Sequence, residues 1–474
     1  MTFQSLEYLI FLPVVFFLYW TVGRRSRTFQ NGLIVAVSLV FYGWWDWRFL
    51  GLLLLTAFST FFAGCWMGKT DEQKKRKAIL VGTTVLNLGV LFFFKYYNFF
   101  VQAFIDAFSL FDKNISISTL NILLPVGISF YTFTALSYSI DVYWRKVEPT
   151  RDLLAYLAYV TFFPSILSGP ISRAQKQLPQ YFERRDFDYE KAVSACRLML
   201  IGGMMKLCLA DRLGIYVDTV YANITHHNGT TLLFTSILYT IQIYADFAGY
   251  SLMAVGSGKL LGVELQTNFI RPYFAKTVTD FWRRWHISLT TWFRDYIYFP
   301  LGGNRCSKVR WIFNTMIVFT ISGLWHGAAY TFLIWGALHG VCMVIERLVY
   351  GDKIKIISNN LSFANFFRLL LTFTIVTFAW IFFRVSDLGD VMTIFRKILT
   401  EPGSLFMDAD TLAYAFLFTI LILTVDFIEE YFSGKVTFMN SKYTIVRWIS
   451  YVVMVVMILL FGVLDGDSFI YFQF

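Results

Sequence analysis

The sequence predicts an all-α polytopic membrane protein, and three observations carry that prediction. Of 474 residues, 57% are hydrophobic and only 15% are charged, against about 25% charged in soluble domains. Apolar runs of about 17–25 residues, long enough to cross a bilayer as a helix, recur along the whole chain. Lys and Arg collect in the short segments between those runs, the pattern of loops on the cytoplasmic side. Roughly 11–13 transmembrane or re-entrant helices fit the length at about 20 residues per crossing. Length alone would suggest about three soluble domains. Membrane packing argues instead for a single integral unit over residues 1–474.

Taken in order, the first apolar segment runs from Leu6 to Val22. The stretch before it has no positive charge and no small-residue cleavage site follows, so it reads as a retained span rather than a signal peptide. Three Arg lie between Gly23 and Arg27, which places that loop inside. Spans follow at Gly32 to Trp45 and Phe49 to Gly68, separated by a Trp-rich turn. The loop Lys69 to Lys77 carries five Lys/Arg against two acids, again inside. Ile79 to Phe94 returns outward, and Asn98 to Leu110 reads as a further short helix. Ile122 to Tyr143 is apolar but holds Pro125, Gly127, Ser129, Thr132 and Thr134. Small and hydroxyl residues suit either close helix packing or a broken helix that lines a cavity.

Leu153 to Leu167 is a short span, and Ala174 to Lys191 is a mixed-charge soluble excursion. Ala192 to Leu209 is an apolar helix whose end is marked by Lys206 and Arg212. The loop at 222–231 holds His226 and His227, which read as exposed. Leu232 to Leu261 is long and contains Asp246. A carboxylate at that depth is either functional or paired with a cation such as Arg. GSGK at Gly256 to Lys259 is not a phosphate loop, because Met253 and Leu260 occupy required positions. Spans at Trp311 to Trp325, Ala328 to Ile345, Phe363 to Phe383, Leu412 to Phe427 and Ile445 to Val463 complete the set. The tail from 464 to 474 is aromatic and has no basic residue.

The net charge is +10. Positive-inside loops and anionic membrane lipids account for most of it, so nucleic acid is not implied. Five scattered Cys without a CxxC pair argue against a disulfide framework. Five scattered His with no ligand spacing argue against a metal site.

One stretch stands apart. Between Arg271 and Arg310 there are eight Lys/Arg and two Asp/Glu. A lipid-facing helix cannot carry that load, since each mid-bilayer charge costs about 2.5–3.5 kcal/mol. The stretch therefore lies at the membrane surface or lines a protein-walled cavity. Read as one helix, Phe281, Trp285, Ser288, Trp292 and Tyr296 share a stripe. Pro300 and Gly302-Gly303 then end it in a turn. His286 sits on this stretch. His326 closes the next apolar segment, flanked by Gly323, Gly327, Ala328 and Ala329, where missing bulk leaves room for a substrate. A buried imidazole stays neutral and can accept a proton from a hydroxyl; equally, it can be a hydrogen-bonded link between helices.

Three blocks together, YADFAGYSLMAVG (Tyr244 to Gly256), DFWRRWHISLTTWFRDYIYFPLGGNR (Asp280 to Arg305) and SGLWHGAAYTFLIWGALHG (Ser322 to Gly340), resemble the signature of the membrane-bound O-acyltransferase family. The likeness is greatest to its bacterial branch of alginate O-acetyltransferase membrane subunits, with the teichoic-acid D-alanylation membrane proteins as neighbours. The blocks form a signature core at about residues 244–340.

The resemblance implies the family's fold, helices around a tunnel, and its activity. His326 matches the family's membrane-embedded active-site His and His286 its second His. Arg283, Arg284, Arg294 and Arg305 are then candidates for the phosphates of coenzyme A, against the plainer reading that they hold topology. Asn304 is a candidate oxyanion donor. Tyr471, in the tail FIYFQF, is a candidate acyl relay, or else part of an interfacial aromatic anchor. The implied function is movement of an acetyl group from cytoplasmic acetyl-CoA across the bacterial inner membrane to an extracytoplasmic polysaccharide, alginate-like by nearest resemblance. Acetyl-CoA enters as substrate, with no cofactor bound. An extracytoplasmic lipase-like acyltransferase is the implied partner. Two alternatives stay open: D-alanyl transfer from an acyl carrier protein to teichoic acid, and a transporter or flippase for a lipid-linked intermediate. A purely scaffolding role is the remaining one.

Overall fold

The computed structural model describes residues 1–109, 119–351, 360–432, 438–463 and 470. Among them the regular structure is helical, with no strand. Eight helical stretches are long and apolar enough to cross a membrane, and Leu6–Thr21 is a shorter apolar helix.

Nineteen α-helices follow one another: α1 (Leu6–Thr21), α2 (Arg27–Asp46), α3 (Leu50–Gly68), α4 (Gln73–Ser109), α5 (Ile128–Tyr143), α6 (Leu153–Val160), α7 (Phe163–Ile166), α8 (Ala174–Gln177), α9 (Tyr189–Gly203), α10 (Asp211–Tyr221), α11 (Gly229–Leu260), α12 (Val278–Arg284), α13 (Ile287–Phe293), α14 (Lys308–His326), α15 (Tyr330–Tyr350), α16 (Phe363–Arg384), α17 (Leu388–Thr400), α18 (Ala409–Tyr431) and α19 (Thr444–Phe461). Side-chain oxygens start many of them. Ser5, Ser26, Asp152, Ser307, Ser362 and Asp408 each accept a bond from a first-turn amide, satisfying donors that the helix itself leaves open.

Several boundaries differ from the sequence expectation. The two helices expected at 79–94 and 98–110 are one, α4, because no Gly or Pro interrupts residues 90–109. The helix expected from Ile122 starts at Ile128, after Gly127 adopts a left-handed φ of 77°. Residues 153–167 form two short helices with Pro164 at the start of the second. The helix expected to end at Leu209 continues instead, through a wide turn of π type at Met204–Ala210 and into α10. Lys206 is buried within it.

Packing separates the chain into two units. One comprises Met1–Ala195 and Ser257–Gln266, the other Cys196–Gly256 and Thr267–Phe474. In the first, α3 and α5 pack side by side; Gly64 leaves the space that Tyr138 fills. Thr60 Oγ1 and the Tyr156 hydroxyl share a hydrogen bond of 2.8 Å. Arg76, in the first turn of α4, is buried and donates to the carbonyls of Met67 and Val142 at the ends of α3 and α5. The region 174–191 is mostly exposed, as its charges suggest, but it is anchored to the unit at the buried Tyr181 and Arg185. Gln30 and Asn31 of α2 bind the Arg185 and Tyr181 carbonyls at 2.7 and 2.8 Å. Asn31 also accepts from the Arg185 guanidinium at 2.6 Å. Paired this way, the arginine is buried at tolerable cost.

The second unit holds α10 to α19, most of α11, and all three signature blocks. Its tightest pair is the α14–α15 hairpin. A Cβ at Gly323 would overlap the Phe332 carbonyl, and one at Gly336 the Phe319 carbonyl. The two backbones therefore meet where neither residue has a side chain.

Candidate active site

His286 and His326 are forty positions apart in sequence, and their ring centroids lie 6.2 Å apart. Each arrives by a specific local device. The stretch expected as one helix over Phe281–Tyr296 is broken at Trp285–His286. His286 takes φ 41° and ψ 54°, a left-handed conformation uncommon away from glycine. The preceding chain holds the break open. The Ile270 amide donates to the Arg284 carbonyl at 3.0 Å, and the Ile287 amide to the Asn268 carbonyl at 3.0 Å. Asn268 Oδ1 also accepts from the Ser288 amide at 3.1 Å, which starts α13. At the break His286 lies in the unit's interior, fully buried. Burial pushes its pKa down to about 3, so the imidazole is neutral.

His326 is the last residue of α14, at the turn into α15. The space beside Gly323 and Gly327 is not left vacant for a substrate, as the sequence suggested. The α15 backbone fills the first and the Phe332 ring the second. These glycines fix where α14 ends against α15, and so where His326 stands. Around its ring are Trp325, Trp335 and Phe383, with centroids at 4.9, 5.1 and 5.3 Å. His286 contacts the Phe247 ring edge to face at 4.6 Å. Trp335 stacks on Trp380 at 5.5 Å and lies 5.1 Å from His339. The result is two imidazoles in an aromatic chamber, with a third histidine on its far wall.

The first signature block supplies three supports from α11. Tyr244 donates its hydroxyl proton to Asp426 Oδ2 at 2.8 Å. Asp246 pairs with Lys206 at 2.6 Å, so the cation beside this carboxylate is a lysine. Phe247 carries the ring against His286.

The arginines divide into two groups. Arg284 is committed to protein carboxylates, Asp280 at 3.1 Å and Glu430 at 2.9 Å. Glu430 is buried and also binds Arg271 at 2.7 Å, so one carboxylate ties together both ends of the segment leading to His286. Arg283, Arg294, Asn304 and Arg305 lie on the accessible surface, with Arg294 paired to its neighbour Asp295 at 2.7 Å. The turn bearing Asn304 has φ of 108° and 56° at Gly302 and Gly303. Asn314 of α14 holds it by donating to the Leu301 and Gly303 carbonyls at 3.1 and 3.2 Å. These surface groups are thus set apart from the buried histidines. Tyr471 lies outside the described residues.

Sequence reasoning missed Glu430, Asn268 and the chamber aromatics Trp335, Trp380 and Phe383. Trp335 stood in a signature block and was readable. Glu430 and Asn268 carried no spacing signal at all.

Comparison with known proteins identifies the family. The model of the membrane-bound O-acyltransferase family matches residues 39–386. A probable alginate O-acetylase of Pseudomonas aeruginosa is 37% identical over 82% of this chain and 73% of its own. A peptidoglycan O-acetyltransferase of Helicobacter pylori is 30% identical over 83% and 78%. A teichoic acid D-alanyltransferase of Bacillus subtilis is 28% identical over 56% and 69%. The relatives are bacterial, and the apolar helices fit a multi-pass protein of the inner membrane. With the family match covering most of the chain and both histidines inside it, this protein belongs to the membrane-bound O-acyltransferase family and is an O-acyltransferase.

Proposed function

We propose that this protein moves an acetyl group from cytoplasmic acetyl-CoA across the membrane for O-acetylation of an extracytoplasmic, alginate-like polysaccharide. The chain acts as one integral unit. The observation that carries the reading is the buried His286–His326 pair in a chain whose fuller matches are acetyl-transferring proteins. The D-alanyl-transferring relatives match a smaller share of the chain.

His326 is the general base. It takes the proton of an acceptor hydroxyl as that oxygen attacks the thioester carbonyl. The tetrahedral intermediate collapses with loss of the coenzyme A thiolate, which the imidazolium reprotonates. The aromatic chamber excludes water, so the thioester is not hydrolysed. His286, neutral and rigidly held, orients the acyl group or the hydroxyl. Arg283, Arg294 and Arg305, with Asn304, bind the donor's phosphates at the surface. Tyr471 is the acceptor hydroxyl that relays the acyl group outward, and an extracytoplasmic lipase-like acyltransferase completes the transfer to polymer.

The test is surface-polymer acetylation in cells carrying His326→Ala, with membrane levels of the protein measured in parallel. Lost acetylation at normal protein level is expected. Retained acetylation removes His326 from the chemistry. A turnover assay that proceeds without any thioester donor would favour the flippase reading instead.

A further inference from the structure

Three ionisable groups lie inside the apolar helices of the second unit and serve neither the histidines nor the surface arginines. Lys206 Nζ sits 2.6 Å from Asp211 Oδ1 and 2.6 Å from Asp246 Oδ1. All three side chains are at most 6% exposed. Charges at such depth are costly and tend to mark a function. The Gly202–Gly249 contact, where a Cβ on either residue would crowd the other's carbonyl, brings the two helix backbones close enough for Lys206 to reach Asp246. One cation between two carboxylates leaves an excess negative charge, which calls for a further donor. That donor comes from the end of the chain: the Ile470 amide donates to Asp246 Oδ2 at 2.9 Å.

The helix that carries Lys206 binds the end of α19 and the residue pair after it at two further points. The Val463 amide donates to the Leu207 carbonyl at 3.1 Å. Leu207 lies in the wide turn at Met204–Ala210, and such turns loosen carbonyls from the helical ladder. Arg212 Nε donates to the Phe461 carbonyl at 2.9 Å. From Val463 to Phe474 the sequence has no Lys or Arg, so it offers a carboxylate neutral donors and no cation.

We infer that Asp246, held by Lys206, is a dock for this protein's own C-terminal tail. The excess charge of the Lys206–Asp211–Asp246 cluster is matched by the Ile470 amide, a charge-assisted bond in a low-dielectric setting. Asp246 adjoins Phe247, whose ring lies against His286. The dock therefore fixes Ile470 to the helix that supports the active site. Asp246 is a positioning residue; this role rests on the proposal that the tail carries the acyl relay.

Hydrogen–deuterium exchange of the full-length protein, read on the C-terminal peptide, tests the dock. Asp246→Ala leaves Lys206 paired with Asp211, so the fold is expected to persist. Exchange at Ile470 should accelerate by about ten- to a hundredfold, the effect of losing a bond to a charged acceptor. Asp246→Asn keeps an oxygen acceptor without the charge and should give a smaller acceleration, and Asp246→Glu should restore protection. If Asp246→Ala does not fold, Asp246→Asn decides. Unchanged exchange in the folded variant overturns the dock, even if acetylation is lost. Tyr471→Phe separates the two ideas: acetylation retained with the tail still protected removes the relay and leaves the dock standing.

Discussion

The His286 and His326 rings stand 6.2 Å apart because a helix breaks at one and another helix ends at the other. That relationship sets the first prediction. Asn tolerates left-handed backbone better than other non-glycine residues. His286→Asn should therefore keep the break and the fold while removing the imidazole. Acetylation should fall at least tenfold with the melting temperature within a few degrees of the parent. His286→Val, β-branched at φ 41°, should lose stability as well, by about 1–3 kcal/mol. Thermal unfolding and acetylation measured on both variants separate backbone from chemistry. Equal activity in His286→Asn and the parent would falsify a role for the ring.

The fold class was legible because apolar runs and basic loops are set by the bilayer rather than by tertiary detail. His326 and His286 were legible because they stand in dense motifs. The break between them was not. Residues 281–296 carry a good helical stripe, and what overrides it is Asn268, which takes the Ile287 and Ser288 amides away from the helix. Lys206 misled for a similar reason. A lysine at the end of an apolar run reads as a loop residue until Asp211 and Asp246 are seen beside it. The glycines around His326 were visible, but their use was not. Sequence shows that a side chain is missing and does not show whether a ligand or a neighbouring backbone fills the place.

A pH dependence follows from the burial of His286. Its pKa falls from 6.5 to about 3 on folding. Between those values the unfolded chain binds a proton that the folded protein does not, so stability rises with pH there. The contribution is fully present above 6.5 and is lost as pH falls toward 3, at up to about 1.4 kcal/mol per pH unit. The midpoint of thermal unfolding should drop through this window. In His286→Asn the drop should be shallower, which a pH series on the two proteins would read directly.

Gly323 offers a test of the hairpin that places His326. A methyl group there meets the Phe332 carbonyl and the Gly336 backbone, and neither can move without separating α14 from α15. Gly323→Ala should cost about 1–3 kcal/mol and lower activity by shifting His326. Gly32→Ala, in α2 with nothing within 4 Å of the added carbon, should be neutral or slightly stabilising. Unchanged stability and activity in Gly323→Ala would show that the hairpin tolerates a wider spacing than its geometry implies.

The arginines can be sorted by which kinetic constant they change. Arg284 and Arg271 share the buried carboxylate of Glu430. Without Glu430, Arg284 keeps Asp280 and Arg271 keeps the more exposed Glu429, so the cost stays below the roughly 3–5 kcal/mol of a wholly unpaired buried charge. Glu430→Ala should still lower the melting temperature and release the segment that presents His286. Arg283 and Arg305 are exposed, and a surface charge contributes little to stability. If they meet the donor's phosphates, Arg283→Gln and Arg305→Gln should raise the KM for acetyl-CoA several-fold and leave kcat and the melting temperature near the parent values. The rise should shrink as salt is added, because the interaction that is lost is the one salt screens. A fall in kcat at unchanged KM would instead place these side chains in the reacting geometry. No change in either constant would leave them to membrane topology and move the donor site elsewhere.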